Sequence, residues 1–206
     1  MSSPAEILDE VVAAVAPQLT AGGYKKSARN FVALEGGVAR IVQFQTSQLK
    51  KPDEAKFTIN LLVTSVPFYE AYADAPFPKN AASAEAVVSA GIGRLMPDEE
   101  PIWWSLEPRV SSALIAKEAS ALLTERALPF LARFESEDAL LRELESGAAL
   151  PGFSAMRERC RAVLLAKRGQ KDEAGKVLRA LVEANSAEGM EGFRDSVNRL
   201  ARRLGV

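Results

Sequence analysis

The stretch Asn30-Phe31-Val32-Ala33-Leu34-Glu35-Gly36-Gly37-Val38-Ala39-Arg40-Ile41-Val42-Gln43-Phe44-Gln45-Thr46-Ser47 decides the fold. Two runs rich in Val, Ile and Phe are joined by a pair of glycines. Both central residues of a tight hairpin turn need positive φ, and glycine adopts it at no steric cost. The stretch therefore predicts an antiparallel hairpin turning at Gly36-Gly37. A two-residue turn fixes the register: Glu35 faces Val38, Ala33 faces Arg40 and Phe31 faces Val42. The opposite face carries Leu34 with Ala39, Val32 with Ile41 and Asn30 with Gln43, with Gln45 next in line.

Downstream, a polar loop around Pro52-Asp53 leads to Lys56-Phe57-Thr58-Ile59-Asn60-Leu61-Leu62-Val63-Thr64, whose alternation predicts a third strand. Phe57, Ile59, Leu61 and Val63 belong on its core face, Thr58 and Asn60 on the other. Three prolines within residues 67–78 predict a long loop there, and residues 102–106, with Trp103 and Trp104, a short aromatic strand in the same sheet. Upstream, Ile7, Leu8, Val11, Val12 and Val15 have helical spacing, with Ser3 as N-cap, Pro4 at the first position and Gly22-Gly23 as the stop. From residue 111 onward the text is helical: about 112–134, bent or ended by Pro129, then 137–145, 156–168, 171–185 and 188–204. The expected fold class is α+β: an N-terminal helix, an antiparallel sheet of about four strands, then a helical C-terminal half. The expected division is an α+β domain over 1–135 and a helical extension over 136–206.

The 206 residues contain no histidine, which removes the commonest general acid/base, the commonest zinc ligand and the Ser-His and Cys-His nucleophile pairs. Cys160 is the single cysteine, so an internal disulfide and a thiolate metal cluster are excluded. Net charge is -1, and the mild basic excess lies in residues 157–206, with 12 basic and 7 acidic residues. That is weak for nucleic acid, which is not expected as a partner. No secretory signal is legible and no apolar run approaches the roughly 18 residues that span a bilayer, so the expectation is a cytoplasmic protein with no membrane partner.

If Asn60 of the third strand aligns with Gln43, four amides, Asn30, Gln43, Gln45 and Asn60, gather on one sheet face, with Lys25, Lys26 and Arg29 entering from the first loop and Trp104 as a candidate stacking wall. Amides present donors and an acceptor in fixed geometry, suited to a peptide backbone or carboxylate and poor at proton transfer. Two readings stand: a solvated sheet face, or a recognition surface. Asp98-Glu99-Glu100 reads as a solvated turn, and Cys160 as buried and inert.

The segments Gly23-Tyr24-Lys25-Lys26-Ser27-Ala28-Arg29-Asn30-Phe31, Val42-Gln43-Phe44-Gln45-Thr46-Ser47, Phe57-Thr58-Ile59-Asn60-Leu61, Gly91-Ile92-Gly93-Arg94 and Trp103-Trp104-Ser105-Leu106 together resemble an uncharacterised bacterial family, domain of unknown function 4304. The resemblance covers roughly residues 5–135. The chain departs from the family pattern at Thr46, usually Lys, and at Leu62, usually Gly. The resemblance implies the fold and brings no activity. Near the C-terminus, Leu165, Gly169, Ala174, Leu178 and Leu181 are spaced like one tetratricopeptide helical hairpin; a full repeat array needs about three such units.

These features favour a non-enzymatic binding or regulatory module for an acidic protein or peptide partner, with Lys25, Lys26, Arg29, Asn30, Gln43, Gln45, Asn60 and Trp104 as binding candidates and with no catalytic residue, metal or cofactor expected. The alternative is a metal-assisted nucleotide or phosphoester enzyme working without histidine, and a third reading is a structural subunit of a homodimer.

Overall fold

Gly36 and Gly37 take φ of +53° and +77°, and the hairpin forms where the sequence places it. The computed structural model describes residues 3–47, 55–107 and 109–206, so the loop expected at Pro52-Asp53 lies outside the described residues. Helix α1 (Pro4–Ala21) is followed by β1 (Lys25–Ser27), β2 (Asn30–Glu35), β3 (Val38–Thr46) and β4 (Lys56–Ser65). Then come α2 (Val66–Ala73), β5 (Val88–Gly91), β6 (Trp104–Ser105) and α3 (Ser112–Leu122). The chain ends with α4 (Leu128–Ala132), α5 (Glu137–Glu145), α6 (Ser154–Lys167), α7 (Lys171–Glu183) and α8 (Glu191–Leu204). The sheet is antiparallel and six-stranded, in the order β1-β2-β3-β4-β5, with β6 also beside β4. The fold class is α+β.

Two compact units are discernible. One comprises Met1–Leu34, Arg40–Leu62 and Ser89–Arg133, the other Glu35–Ala39, Val63–Val88 and Phe134–Val206.

In the first unit, α1 starts with a reciprocal cap: Glu6 N–H donates to Ser3 Oγ at 3.3 Å and Ser3 N–H to Glu6 Oε2 at 2.7 Å. Its buried residues Ile7, Leu8, Val11, Val12, Val15 and Leu19 repeat at helical spacing, and α1 packs against α3. Gln18 fastens that pair, donating to Ser120 O at 3.1 Å and Thr124 Oγ1 at 2.8 Å. A row of rings crosses the sheet, one each from β2, β3, β4 and β6: Phe31 to Phe44 at 6.1 Å, Phe44 to Phe57 at 6.1 Å and Phe57 to Trp104 at 5.0 Å. Successive side chains alternate between faces, so this row assigns Phe31, Phe44, Phe57 and Trp104 to the core and leaves Asn30, Gln43, Gln45, Thr58 and Asn60 on the other face.

Two strands beyond the expected four are short and carry little pattern. In β1 all three residues are exposed, and the strand exists because a turn at Ala28-Arg29 folds it onto β2, pairing Lys25 with Val32, Lys26 with Phe31 and Ser27 with Asn30. In β5, Val-Ser-Ala-Gly is too short to alternate convincingly. After it, Gly93 is pressed against backbone: a Cβ there would lie 2.0 Å from Glu100 O and 2.9 Å from Ile102 N. That close approach folds residues 94–103 back on the glycine, with Arg94 and Glu99 paired at 3.0 Å across the loop.

The chain continues helically past Leu122 through one wide turn, Leu123–Ala127, into α4. Pro129, expected to bend or end the helix, sits at the beginning of α4, where its missing N–H is accommodated behind the wide turn.

In the second unit, the segment after Pro67 corrects the expectation of a loop. Val66–Ala73 is a helix: Ser65 Oγ accepts from Phe68 N–H at 3.3 Å, and Pro67 falls in the first turn, where a proline costs nothing. Phe68 is fully buried and stacks on Tyr72 at 5.5 Å. Here too the Gly36-Gly37 turn meets α5: Glu137 N–H donates to Gly36 O at 3.1 Å, and Val66 N–H to Gly37 O at 2.8 Å. Helices α6 and α7 pack together as an antiparallel pair about Gly169, at φ +81°.

Candidate functional site

Strands β2, β3 and β4 bring Asn30, Gln43, Gln45 and Asn60 to one end of the non-core face. Asn60 Nδ2 donates to Gln43 Oε1 at 3.5 Å and also to Gln45 Oε1. With both glutamine carbonyls turned inward to Asn60, their NH2 groups are left as donors. Asn60, Gln43 and Asn30 are half-buried and Gln45 is exposed. Gly91 of β5 lies alongside: a Cβ there would be 3.9 Å from Asn60 Oδ1, so this neighbour leaves the amide uncrowded. Ala28, Arg29, Asn30, Gln43, Phe44, Gln45 and Thr46 line a shallow, open hollow.

The cations do not gather with the amides as a group. Arg29 is turned to α1, its Nε 2.8 Å from Asp9 Oδ1 and its Nη2 3.3 Å from Ala5 O. That hydrogen bond holds the Asp9 carboxyl below its usual pKa, helped by the charges of Arg29 and Lys26. Cross-strand partners share a face, so Lys26 goes with Phe31 on the α1 side, and only Lys25, opposite Val32, shares the face of the amides. Lys25 stands on β1, three strand positions from Asn60, or roughly 14 Å at the usual strand spacing.

Trp104 is not on this surface. It is 6% exposed, stacked on Phe57, and its indole Nε1 donates to Glu118 Oε2 at 3.1 Å. Trp103 is the exposed one, at 47%. Adjacent residues of an extended strand point oppositely, so the sequence shows that the two differ; which of them is core depends on the pairing of Phe57 with Trp104.

Elsewhere, Glu99 of the acidic run is engaged by Arg94, and among the described residues no three Cys, Asp or Glu side chains group to hold a metal ion. Burial pushes the Cys160 thiol far above its ordinary pKa, leaving an inert thiol. Arg203, in the last turn of α8, reaches α2: it donates to Ala71 O at 2.9 Å and Tyr72 O at 3.0 Å and pairs with Asp74 at 3.0 Å. Among the described residues no helix is long and apolar enough to cross a membrane.

A six-stranded antiparallel sheet with an aromatic core face and four amides at one end of the other face, followed by a helical C-terminal half, defines an α+β protein. The model of the family described as Domain of unknown function (DUF4304) matches residues 15–133, more than half of the chain, and the chain belongs to that family. No curated protein and no solved structure matches it.

Proposed function

We propose that this protein is a non-enzymatic binding or regulatory module that takes an acidic protein or peptide partner on the amide-rich end of its sheet. One observation carries the reading: Asn60 donates to Gln43 and Gln45, so a single amide orients two others and leaves their NH2 donors available. Neutral donors of fixed direction suit a carboxylate or an extended backbone, and none of these side chains exchanges protons near neutral pH. Lys25 adds a positive charge at the rim. The setting is bacterial and cytoplasmic in this reading. The α6–α7 pair, similar in its Gly169 turn to one tetratricopeptide unit, offers a second contact surface in this reading.

Wild type and a Gln43→Ala/Asn60→Ala double variant are compared by pull-down from a bacterial lysate, followed by affinity measurement on the purified partner. Loss of the partner by the double variant, with its fold intact by circular dichroism, supports the reading. Identical partner lists and affinities remove the amide face from the function.

A further inference from the structure

Arg159 of α6 is the buried charge that the fold does not explain. The residue is 5% exposed, and its Nε is sealed from solvent without a hydrogen-bond partner. The guanidinium carbon lies 4.5 Å from the ring centroid of Phe193 on α8 and 5.4 Å from that of Tyr72 on α2. Nη1 reaches only the Met156 sulfur, at 3.7 Å. Nearby carboxylates are committed elsewhere: Glu158 to Arg161 at 3.0 Å, Asp74 to Arg203 at 3.0 Å and Glu191 to Arg194 at 3.2 Å. Among the described residues none pairs with Arg159.

A guanidinium taken out of water is costly unless its donors and its charge are matched. The two rings offset part of that cost through their π faces. They contribute nothing at the guanidinium edge, where the N–H donors point. Tyr72, Met156 and Phe193 are each half-buried, so this edge lies one side chain below the surface.

We propose that Arg159 anchors a ligand site in the helical unit, which takes the carboxylate of an organic acid with an apolar body. A planar carboxylate matches the guanidinium fork with two parallel hydrogen bonds, and its single charge neutralises the single charge of Arg159. A phosphate dianion would bring surplus charge to a place walled by two rings and a thioether. The apolar remainder of the acid rests against Phe193, Tyr72 and Met156. This site is independent of the amide face and shares no residue with it.

Thermal unfolding is followed while the full chain is titrated with sodium hexanoate and, separately, sodium benzoate, against sodium chloride and sodium phosphate of equal ionic strength. The expected result is a saturable rise in Tm with the carboxylates beyond both controls, lost in Arg159→Met, which keeps the volume and removes the charge. No saturable rise in wild type, an equal rise in Arg159→Met, or a phosphate rise equal to that of hexanoate overturns the proposal. Should Arg159→Met fail to fold, wild type labelled with nitrogen-15 arginine supplies the second readout. The Arg159 Nε–H resonance then moves with hexanoate to the same midpoint as the Tm, and a stationary resonance overturns the site.

Discussion

Replacing Gly93 by alanine places a methyl group 2.0 Å from the Glu100 carbonyl oxygen, 2.9 Å from Ile102 N and 3.0 Å from the Glu100 carbonyl carbon. All three are backbone atoms, so no side chain can rotate aside. Merely to reach 3.0 Å, a separation real Cβ atoms essentially never undercut, the Glu100 oxygen must retreat by 1 Å, carrying residues 94–103 with it. Overpacking of this kind costs about 3 kcal/mol, at the upper end of the usual range. For a chain of this length that corresponds to a fall in Tm of roughly 6–12 °C. Gly91, two residues earlier, is the internal control. Its φ of -67° and ψ of 147° suit any residue, and the nearest atom to an added Cβ is 3.9 Å away. Gly91→Ala therefore leaves stability unchanged or raises it by about 0.5 kcal/mol through the unfolded chain. Urea denaturation of both variants beside wild type measures the contrast. Equal stabilities for the two variants, or a Gly93→Ala variant within about 1 kcal/mol of wild type, would refute the close approach as the reason for the glycine.

Phe44 is the middle of the ring row, touching both Phe31 and Phe57 and 4% exposed, so Phe44→Ala loses about 3–5 kcal/mol in the same urea assay; a loss below about 1 kcal/mol contradicts the placement of that face in the core. Tyr24 is 3% exposed, and burial raises its hydroxyl pKa above the ordinary 10.0, with the Arg40 charge opposing. The unfolded chain sheds this proton first as pH rises, so the folded state holds more protons and stability falls with pH. The Tyr24 contribution is thus intact below about pH 10 and lost as pH climbs through the folded value, while Tyr24→Phe lacks this slope. Parallel alkaline losses in the two proteins would exclude Tyr24 as the source.

How much of this was legible in the sequence differs by element. The Gly36-Gly37 hairpin and the third strand were readable because local chemistry and pattern agree: two positive-φ residues, then clean alternation at Phe57, Ile59, Leu61 and Val63. The same alternation put Asn30 and Gln43 on one face and Asn60 off the core face of its strand, while the meeting of Asn60 with Gln43 depends on how β4 registers beside β3. Helix α2 was hidden because Pro67 reads as a breaker unless Ser65 is recognised as its cap. Strands β1 and β5 were hidden because their existence depends on partners rather than on their own residues. The choice between Trp103 and Trp104 and the capture of Arg29 by Asp9 are tertiary facts: a side chain that satisfies itself on a neighbouring helix leaves no local mark. Arg159 was invisible for a related reason, since an arginine among Arg157, Glu158 and Arg161 reads as a solvated helix face until α2 and α8 bring their rings to it.

The wide turn before α4 bears on how this chain can change. Ile115, Ala119, Leu123, Ala127 and Leu131 are all buried and follow one another at intervals of four. At about 100° per residue an ideal helix advances such a series by about 40° each step, or about 160° from first to last, so Leu131 would face away from Ile115. The wide turn winds more residues into each revolution and brings the series back to one side. It is therefore a phase correction that the spacing of the apolar residues requires. A one-residue deletion within 123–127 leaves 15 residues between the first and last of the series, which an ideal helix turns by about 60° instead of about 160°, so the shorter helix would lose the wide turn and keep Leu131 on the side of Ile115. At this turn the length of the helix can therefore change by one residue while its apolar series keeps the same side.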